Sequence, residues 1–320
     1  MAYTLPFERP IVDLEERIAD LKHRSLESDS ELTTLVEKLE EQAAALRDAV
    51  FGSLGAWQRT LISRHPERPY TLDYVEALFS DYHELHGDRN FMDDRAIVGG
   101  LARIGGRSVM IIGHQKGRST KEKVYRNFGM PRPESYRKAL RLMNLAERFG
   151  RPIVTLVDTP GAYPGIGAEE RGQAEAIAKN IMVMSRLKVP IITVVIGEGG
   201  SGGALAIAVA NRVLMLDNAI YSVISPEACA SILWRDGTLG EVASRALRYT
   251  SADCMEFGVA DEVIPEPLGG AHRNRELVIP AVGEAICRHL DELCAMSPDE
   301  LVEDRYQRFR KLGRMQPTGE

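Results

Sequence analysis

The sequence predicts an α/β protein with a helical extension at each end. Three observations carry that expectation. From Arg95 to about residue 264, strand-like apolar runs alternate with helical patterns. Two of those runs end in glycine-rich loops. Residues 10–51 and 274–312 carry helical periodicity and no strand pattern. A chain of 320 residues, 44% hydrophobic and 27% charged, has the composition of a soluble globular protein and can bury a large core as one domain or two.

In chain order, Ile11, Leu14, Ile18 and Leu21 share one helical face, and Leu32, Leu35, Leu39, Ala43, Leu46 and Val50 share another. Ser28-Asp29-Ser30 separates the two and suits a helix cap, so a helical hairpin is expected. Residues 63–74, with two prolines, read as a linker. Strands 96–104 and 108–114, joined by Gly105-Gly106, form a hairpin. A helix is expected over 134–149, behind Pro133, then a strand at 153–157 and a helix over 169–187. A strand at 191–196, a helix over 203–210 and a strand at 212–216 follow. Pro226 starts another helix, and 259–264 is a late strand.

The stretch Gly197 to Ala206, G-E-G-G-S-G-G-A-L-A, follows the β-branched run V-P-I-I-T-V-V-I. Gly199, Gly200, Gly202 and Gly203 let backbone approach a ligand closely, and N–H groups at a helix start are unpaired and sit at its positive end. The stretch suits an anion. It matches G-x-G-x-x-G of dinucleotide folds through Gly197, Gly199 and Gly202, with Asp217 closing the next apolar run. It matches G-x-S-x-G of serine hydrolases through Gly199, Ser201 and Gly203. As an oxyanion hole it needs only Gly202-Gly203. A second loop, D-T-P-G-A-Y-P-G-I-G from Asp158, ends another strand and can present the N–H groups of Gly161 and Ala162, or serve as a plain strand-to-helix turn. No Gly-Lys dipeptide exists, which excludes a P-loop. Glu169 and Glu170 suit capping of the next helix as well as catalysis. Residues 116–151 hold eleven Lys/Arg and three Glu, a local +8 in a chain of net charge −6. Within it, G-H-Q-K-G-R-S-T-K-E-K follows a strand, and Lys116 and Arg118 are candidates for holding a phosphate, against the alternative of a solvated surface.

The acidic balance argues against general nucleic-acid binding. The N-terminus has neither cationic start nor apolar signal core, and no apolar run reaches membrane-span length. Cys229, Cys254, Cys287 and Cys294 form no C-x-x-C pair and read as free thiols in a reducing cytosol. His83-Glu84-Leu85-His86 is not H-E-x-x-H and reads as a polar turn before Gly87, so no metal is expected on this chain.

In this one order the chain carries G-H-Q-K-G-R, R-N-F-G-M, D-T-P-G-A-Y-P-G, A-E-E-R-G-Q, G-E-G-G-S-G-G-A-L-A, Y-S-V-I-S-P-E and E-P-L-G-G-A-H-R. Together these blocks resemble the carboxyltransferase alpha subunits of multi-subunit bacterial acetyl-CoA carboxylases, closely to about Arg273 and more loosely beyond. Ala228, before Cys229, departs from the family's glycine, and residues 236–254 are variable. The resemblance implies a crotonase-like (ClpP/crotonase) fold of repeated ββα units. It implies residues 1–62 as a helical extension, 63–295 as the carboxyltransferase domain and 296–320 as a helical tail.

The implied reaction passes a carboxyl group from carboxybiotin, carried on a biotin carboxyl carrier protein, to acetyl-CoA, giving malonyl-CoA for fatty acid synthesis in the cytoplasm. The implied partners are a zinc-containing beta subunit in an α2β2 assembly, the carrier protein, and a biotin carboxylase that alone uses ATP. No membrane and no specific nucleic acid are implied. Neither step needs a protein nucleophile. The site needs fixed N–H donors where charge grows. Carried onto this chain, Gly202 and Gly203 are the first donors and Gly161 and Ala162 the opposing wall. Gly199, Gly200, Tyr163, Lys116 and Arg118 are expected to contact substrate. A G-x-S-x-G serine hydrolase and a non-catalytic CoA-binding scaffold subunit are the alternatives.

Overall fold

The computed structural model describes residues 3–24 and 30–313. The cap expected from Ser28, Asp29 and the Ser30 side chain lies outside the described residues, as does the tail beyond residue 313. The helices α1 (Arg9–Arg24), α2 (Ser30–Phe51), α3 (Ala56–Ser63) and α4 (Thr71–Leu78) come first. They are followed by β1 (Ser80–Glu84), β2 (Ile97–Ile104), β3 (Arg107–His114), α5 (Thr120–Tyr125), α6 (Pro133–Arg148) and β4 (Ile153–Thr159). Next come α7 (Ile166–Glu170), α8 (Gln173–Met184), β5 (Ile191–Gly200), α9 (Ser201–Leu205), β6 (Arg212–Leu216) and β7 (Ile220–Ser222). The chain continues with α10 (Pro226–Trp234), α11 (Gly240–Leu247), α12 (Ser251–Glu256), β8 (Glu262–Ile264), α13 (Arg275–Cys294) and α14 (Pro298–Arg310).

The strands form one eight-stranded sheet in the order β1-β2-β3-β4-β5-β6-β8, with β7 pairing the far end of β5. β1, β2 and β3 are antiparallel, and from β3 through β8 the pairings are parallel. Every residue of β4 is buried, as a parallel strand covered on both faces requires. The β2–β3 turn takes positive φ at both Gly105 and Gly106, the two-residue hairpin geometry that glycine favours.

Several expectations change. The expected helix 169–187 is two helices, α7 and α8, because Gly172 adopts φ 82° between them. His83 and Glu84 sit on β1, an edge strand, rather than in a turn. The expected linker 63–74 is a buried strap. The Arg68–Glu266 ion pair inside it is 2.7 Å long, with side chains 1% and 0% exposed. Arg68 also donates to the Ile196 carbonyl of β5, and Glu266 accepts from the Ala271 N–H. Burying a charge pair this deeply needs every remaining lone pair satisfied, and this geometry supplies the partners.

The α1–α2 hairpin has its own small core of Ile18, Val36 and Ala43, separate from the main core around the sheet. Leu5, Ile11, Phe51 and Ile62 form a third cluster where the chain's start meets α3.

Candidate active site

Strands β3, β4 and β5 are neighbours, and their C-terminal ends lie side by side. Each strand carries a charged residue near or just past its end, with glycine close behind: Lys116 before Gly117, Asp158 three residues ahead of Gly161, Glu198 before Gly199. These three charges meet below the loops. Lys116 Nζ lies 2.7 Å from Asp158 Oδ1 and 2.9 Å from Glu198 Oε1. The Glu198 N–H donates to Asp158 Oδ1 at 3.1 Å. Arg64, just after α3, donates to Glu198 at 2.7 Å and to Glu227 of α10 at 2.6 Å. Burial works to raise the Glu198 carboxyl, but Lys116 and Arg64 overcome it and hold the group below its ordinary range. For Asp158 burial wins and raises it despite Lys116. The Lys116 ammonium is raised, since the two carboxylates outweigh its desolvation. Lys116 therefore spends its charge inside the protein. Arg118 differs: its guanidinium donates to Asp73 at 2.8 Å and stands 4.6 Å over the Tyr70 ring, yet stays 41% exposed.

Above this ionic layer the two glycine loops touch. A Cβ placed on Gly203 would sit 2.5 Å from Ala162 N and from Gly161 C, and one on Gly200 would sit 2.2 Å from the Pro160 carbonyl oxygen. Gly161 and Ala162 thus lie against Gly203 rather than facing it across a cleft. Gly161 has φ 149°, and its N–H donates to Thr159 Oγ1 at 3.1 Å, so Ala162 is the freer donor of that pair. Gly199 is buried under Tyr221, where an added Cβ would meet the ring at 2.7 Å. Gly200 pairs with Ser222 in the β5–β7 ladder. Gly202 is half-buried, with room beside it toward Ile177 at 3.6 Å. Ser201 is exposed at the tip with φ 55°, an uncommon value for a residue other than glycine. The first-turn N–H groups of α9 have no intrahelical acceptor. A hollow of about 300 Å³ opens beside them, walled mainly by Leu205, Tyr221, Val223 and Val259. Tyr163 is half-buried, its N–H bonded to the Pro131 carbonyl and its ring 4.8 Å from the Arg132 guanidinium.

His114, unremarked in the sequence, is fully buried beneath both loops. Its Nδ1 accepts from the Asp158 N–H at 3.4 Å, while Nε2 has no hydrogen-bond partner. Burial, countered in part by the Gly203 backbone, lowers its pKa to about 3, so the ring is neutral. The buried Tyr136 hydroxyl reaches the Gly203 carbonyl at 3.5 Å. Asp158, Glu198 and Arg64 were missed as well. The signal was present for the two acids: a carboxylate near the end of an apolar strand, with glycine one residue on for Glu198 and three on for Asp158. Glu169 takes the first turn of α7, and Arg171 pairs with the buried Glu134 at 2.7 Å.

No histidine contact among the described residues involves Ser201, so the hydrolase geometry is missing its base. His272 is bonded to Glu8 at 3.0 Å. With His65 these two have metal-ligand spacing. The two imidazoles stack at 3.9 Å and 25°. His65 Nε2 lies 3.2 Å from the Tyr3 carbonyl and its Nδ1 accepts from the Glu67 N–H, whereas the buried Nδ1 of His272 has no hydrogen-bond partner.

Residues 4–313 match the family model described as acetyl co-enzyme A carboxylase carboxyltransferase-like. The chain belongs to that family. It is 60% identical over 313 residues to the acetyl-coenzyme A carboxylase carboxyl transferase subunit alpha of Geobacter metallireducens, covering 98% of each chain. The corresponding subunit of Thermus thermophilus is 57% identical over 309 residues, 97% of this chain and 98% of that one. Among solved structures, transcarboxylase 12S superposes with a TM-score of 0.55 at 22% identity, over 79% of this chain and 44% of that one. A Pseudomonas malonate decarboxylase hetero-tetramer in complex with coenzyme A gives 0.54 at 19% identity, over 66% and 85%. These likenesses establish the crotonase-like α/β fold. No described helix is long and apolar enough to cross a membrane.

Proposed function

We propose that this chain is the half of an acetyl-CoA carboxylase carboxyltransferase that holds the developing anion of the carboxyl donor. The reading rests on one observation above all: two glycine loops, at the ends of adjacent strands, packed so closely that a Cβ on Gly203 would lie 2.5 Å from Ala162 N. A pair of loops fixed this tightly offers backbone N–H groups that need no reorganisation when charge develops, which is the largest single contribution in such sites. Carboxybiotin, brought by a carrier protein, supplies the activated carboxyl group. The N–H groups of Gly202, Gly203 and Ala162 receive the ureido oxygen as it gains charge, and the apolar hollow walled by Leu205, Tyr221 and Val223 suits the bicyclic ring.

Lys116, Asp158, Glu198 and Arg64 hold the loops in register from below, so Lys116 acts as a brace. Arg118 keeps an exposed face for an anionic part of a substrate. The acetyl thioester of acetyl-CoA is held by a beta subunit, which also carries the zinc. The two chains assemble as α2β2 in the cytoplasm, served by a biotin carboxylase that consumes ATP. The test is the transfer half-reaction, decarboxylation of malonyl-CoA in the presence of biotin. The chain should be inactive alone and active once mixed with its beta subunit. Full activity of the isolated chain would refute the half-site reading.

A further inference from the structure

At the opposite pole of the sheet, beneath the N-terminal ends of β4 and β5, lies a cavity of about 500 Å³ that the carboxyl transfer does not use. Arg103 and Arg107 of the β2–β3 hairpin, Arg151 before β4 and Lys188 before β5 line it, with Cys294 and Met296 from the α13–α14 junction. No carboxylate is among its lining residues. Arg107 reaches out to Asp291, and Lys188 to Asp299, an acid 87% exposed. Among the described residues, Arg103 and Arg151 make no ion pair, and Arg103 bonds only the nearby Gly106 carbonyl. Four cations gathered around one hollow repel each other in a chain whose net charge is −6. Such a cluster has no packing role to explain it, since Arg103, Arg151 and Lys188 are exposed.

A second hollow of about 400 Å³ adjoins the first and shares Arg103, Ser108 and Arg151 with it. Leu101, Ala102, Leu145 and Phe149, the last 63% exposed, form its apolar walls, and Asp81 and His83 of β1 complete the lining. The Arg148 guanidinium stands 6.0 Å over the Phe149 ring. One end of the combined site is a cationic seat with hydrogen-bond forks suited to phosphate oxygens, and the other is a shelf with an open aromatic face.

We infer that this pole binds a phosphorylated small molecule with a flat apolar body, the polyphosphate on Arg103, Arg107, Arg151 and Lys188 and the body against Phe149. The inference does not depend on the carboxyl-transfer reading, because its readout is binding at a place remote from the glycine loops.

The experiment titrates the enzyme, assembled with its beta subunit, by calorimetry without magnesium. The probes are inorganic tripolyphosphate, ATP as a polyphosphate with a flat base, and adenosine as the base alone. Saturable tripolyphosphate binding at one site per alpha chain is expected. It should weaken at least about tenfold in Arg103→Ser/Arg151→Ser, since charge-assisted hydrogen bonds to phosphate oxygens are the strong ones. These two side chains have no carboxylate partner, so the variant should keep the transfer activity. Lys179→Ser, an exposed cation elsewhere, should bind as the parent does. ATP should bind more tightly than tripolyphosphate, and Phe149→Ser should erase the difference. Absence of saturable binding, or binding unchanged in the double variant, overturns the phosphate seat. ATP binding no tighter than tripolyphosphate, or an ATP advantage that survives Phe149→Ser, overturns the two-part site.

Discussion

Single residues in the glycine loops differ sharply in what they tolerate. Gly203→Val drives a branched side chain into the Ala162 and Gly161 backbone at about the position where even a Cβ lies 2.5 Å away. Neither neighbour is a flexible side chain that can give way. Transfer should fall by about 10²–10³ or more, the cost of losing one such donor. Ser201→Ala leaves every N–H in place and should cost no more than about one hydrogen bond, ~1 kcal/mol. Half-reaction rates of the two variants in the assembled enzyme check this, and the reverse ranking would restore a nucleophilic serine. Lys116 is a different case. Lys116→Met leaves buried Asp158 without its cation and Glu198 with Arg64 alone, and should cost about 3–5 kcal/mol of stability. Denaturant unfolding measures it; unchanged stability with a raised KM would instead return Lys116 to substrate binding. The glycines were legible because their spacing is a local pattern. The brace was not, since its members lie at positions 64, 116, 158, 198 and 227, and only the sheet order brings them together. A lysine facing inward looks the same in sequence as one facing solvent.

Elements follow the same division between local and non-local causes. β6 at 212–216 and the β2–β3 hairpin were readable, because an apolar run bounded by turn residues carries its own boundaries. β1 was missed: Ser80–Glu84 has no apolar alternation and is a strand only because β2 offers it a ladder. α9 is five residues long where eight were expected, since Ala206 to Ala210 are apolar enough to be buried in any conformation. The strap 64–70 escaped because prolines mark irregular backbone without saying whether it is buried. Its burial has a measurable pH signature. Burial first, and the nearby His272 second, lower the His65 pKa from 6.5 to about 4. The folded value lies below the unfolded one, so the unfolded chain takes up the proton first as pH falls. The contribution is whole above pH 6.5 and is lost progressively toward about pH 4. Each pH unit in that window should cost about 1.4 kcal/mol. Thermal unfolding of the parent and of His65→Asn should converge as the pH drops; parallel curves would rule out the strap as the origin.

On the scale of the whole molecule, two bodies of unequal firmness share one chain. The α1–α2 hairpin closes on Ile18, Val36 and Ala43, three buried residues against the large core of the sheet. Among the described residues, only its base is tied to the body, by Ile11 and Phe51 packing with Leu5 and Ile62 and by Arg273 bonding Glu15 at 3.0 Å. Amides of residues 14–22 and 35–46 should therefore exchange with solvent well ahead of those in β4 and β5, in native-state hydrogen exchange read by mass spectrometry. Equal protection would mean that the hairpin unfolds only with the rest. The overall class was legible from alternation alone, and the family from its order of motifs. The sheet edge order was not, because it depends on which strands cross over. The ionic layer under the loops also constrains descent. Its charges come from five separated segments, and exchanging any one with a relative whose lysine, carboxylates or arginine are set differently would leave a buried charge without its mate. Hybrid genes joined between positions 64 and 227 should survive only when both parents share the whole set, so this span is inherited as one linkage group.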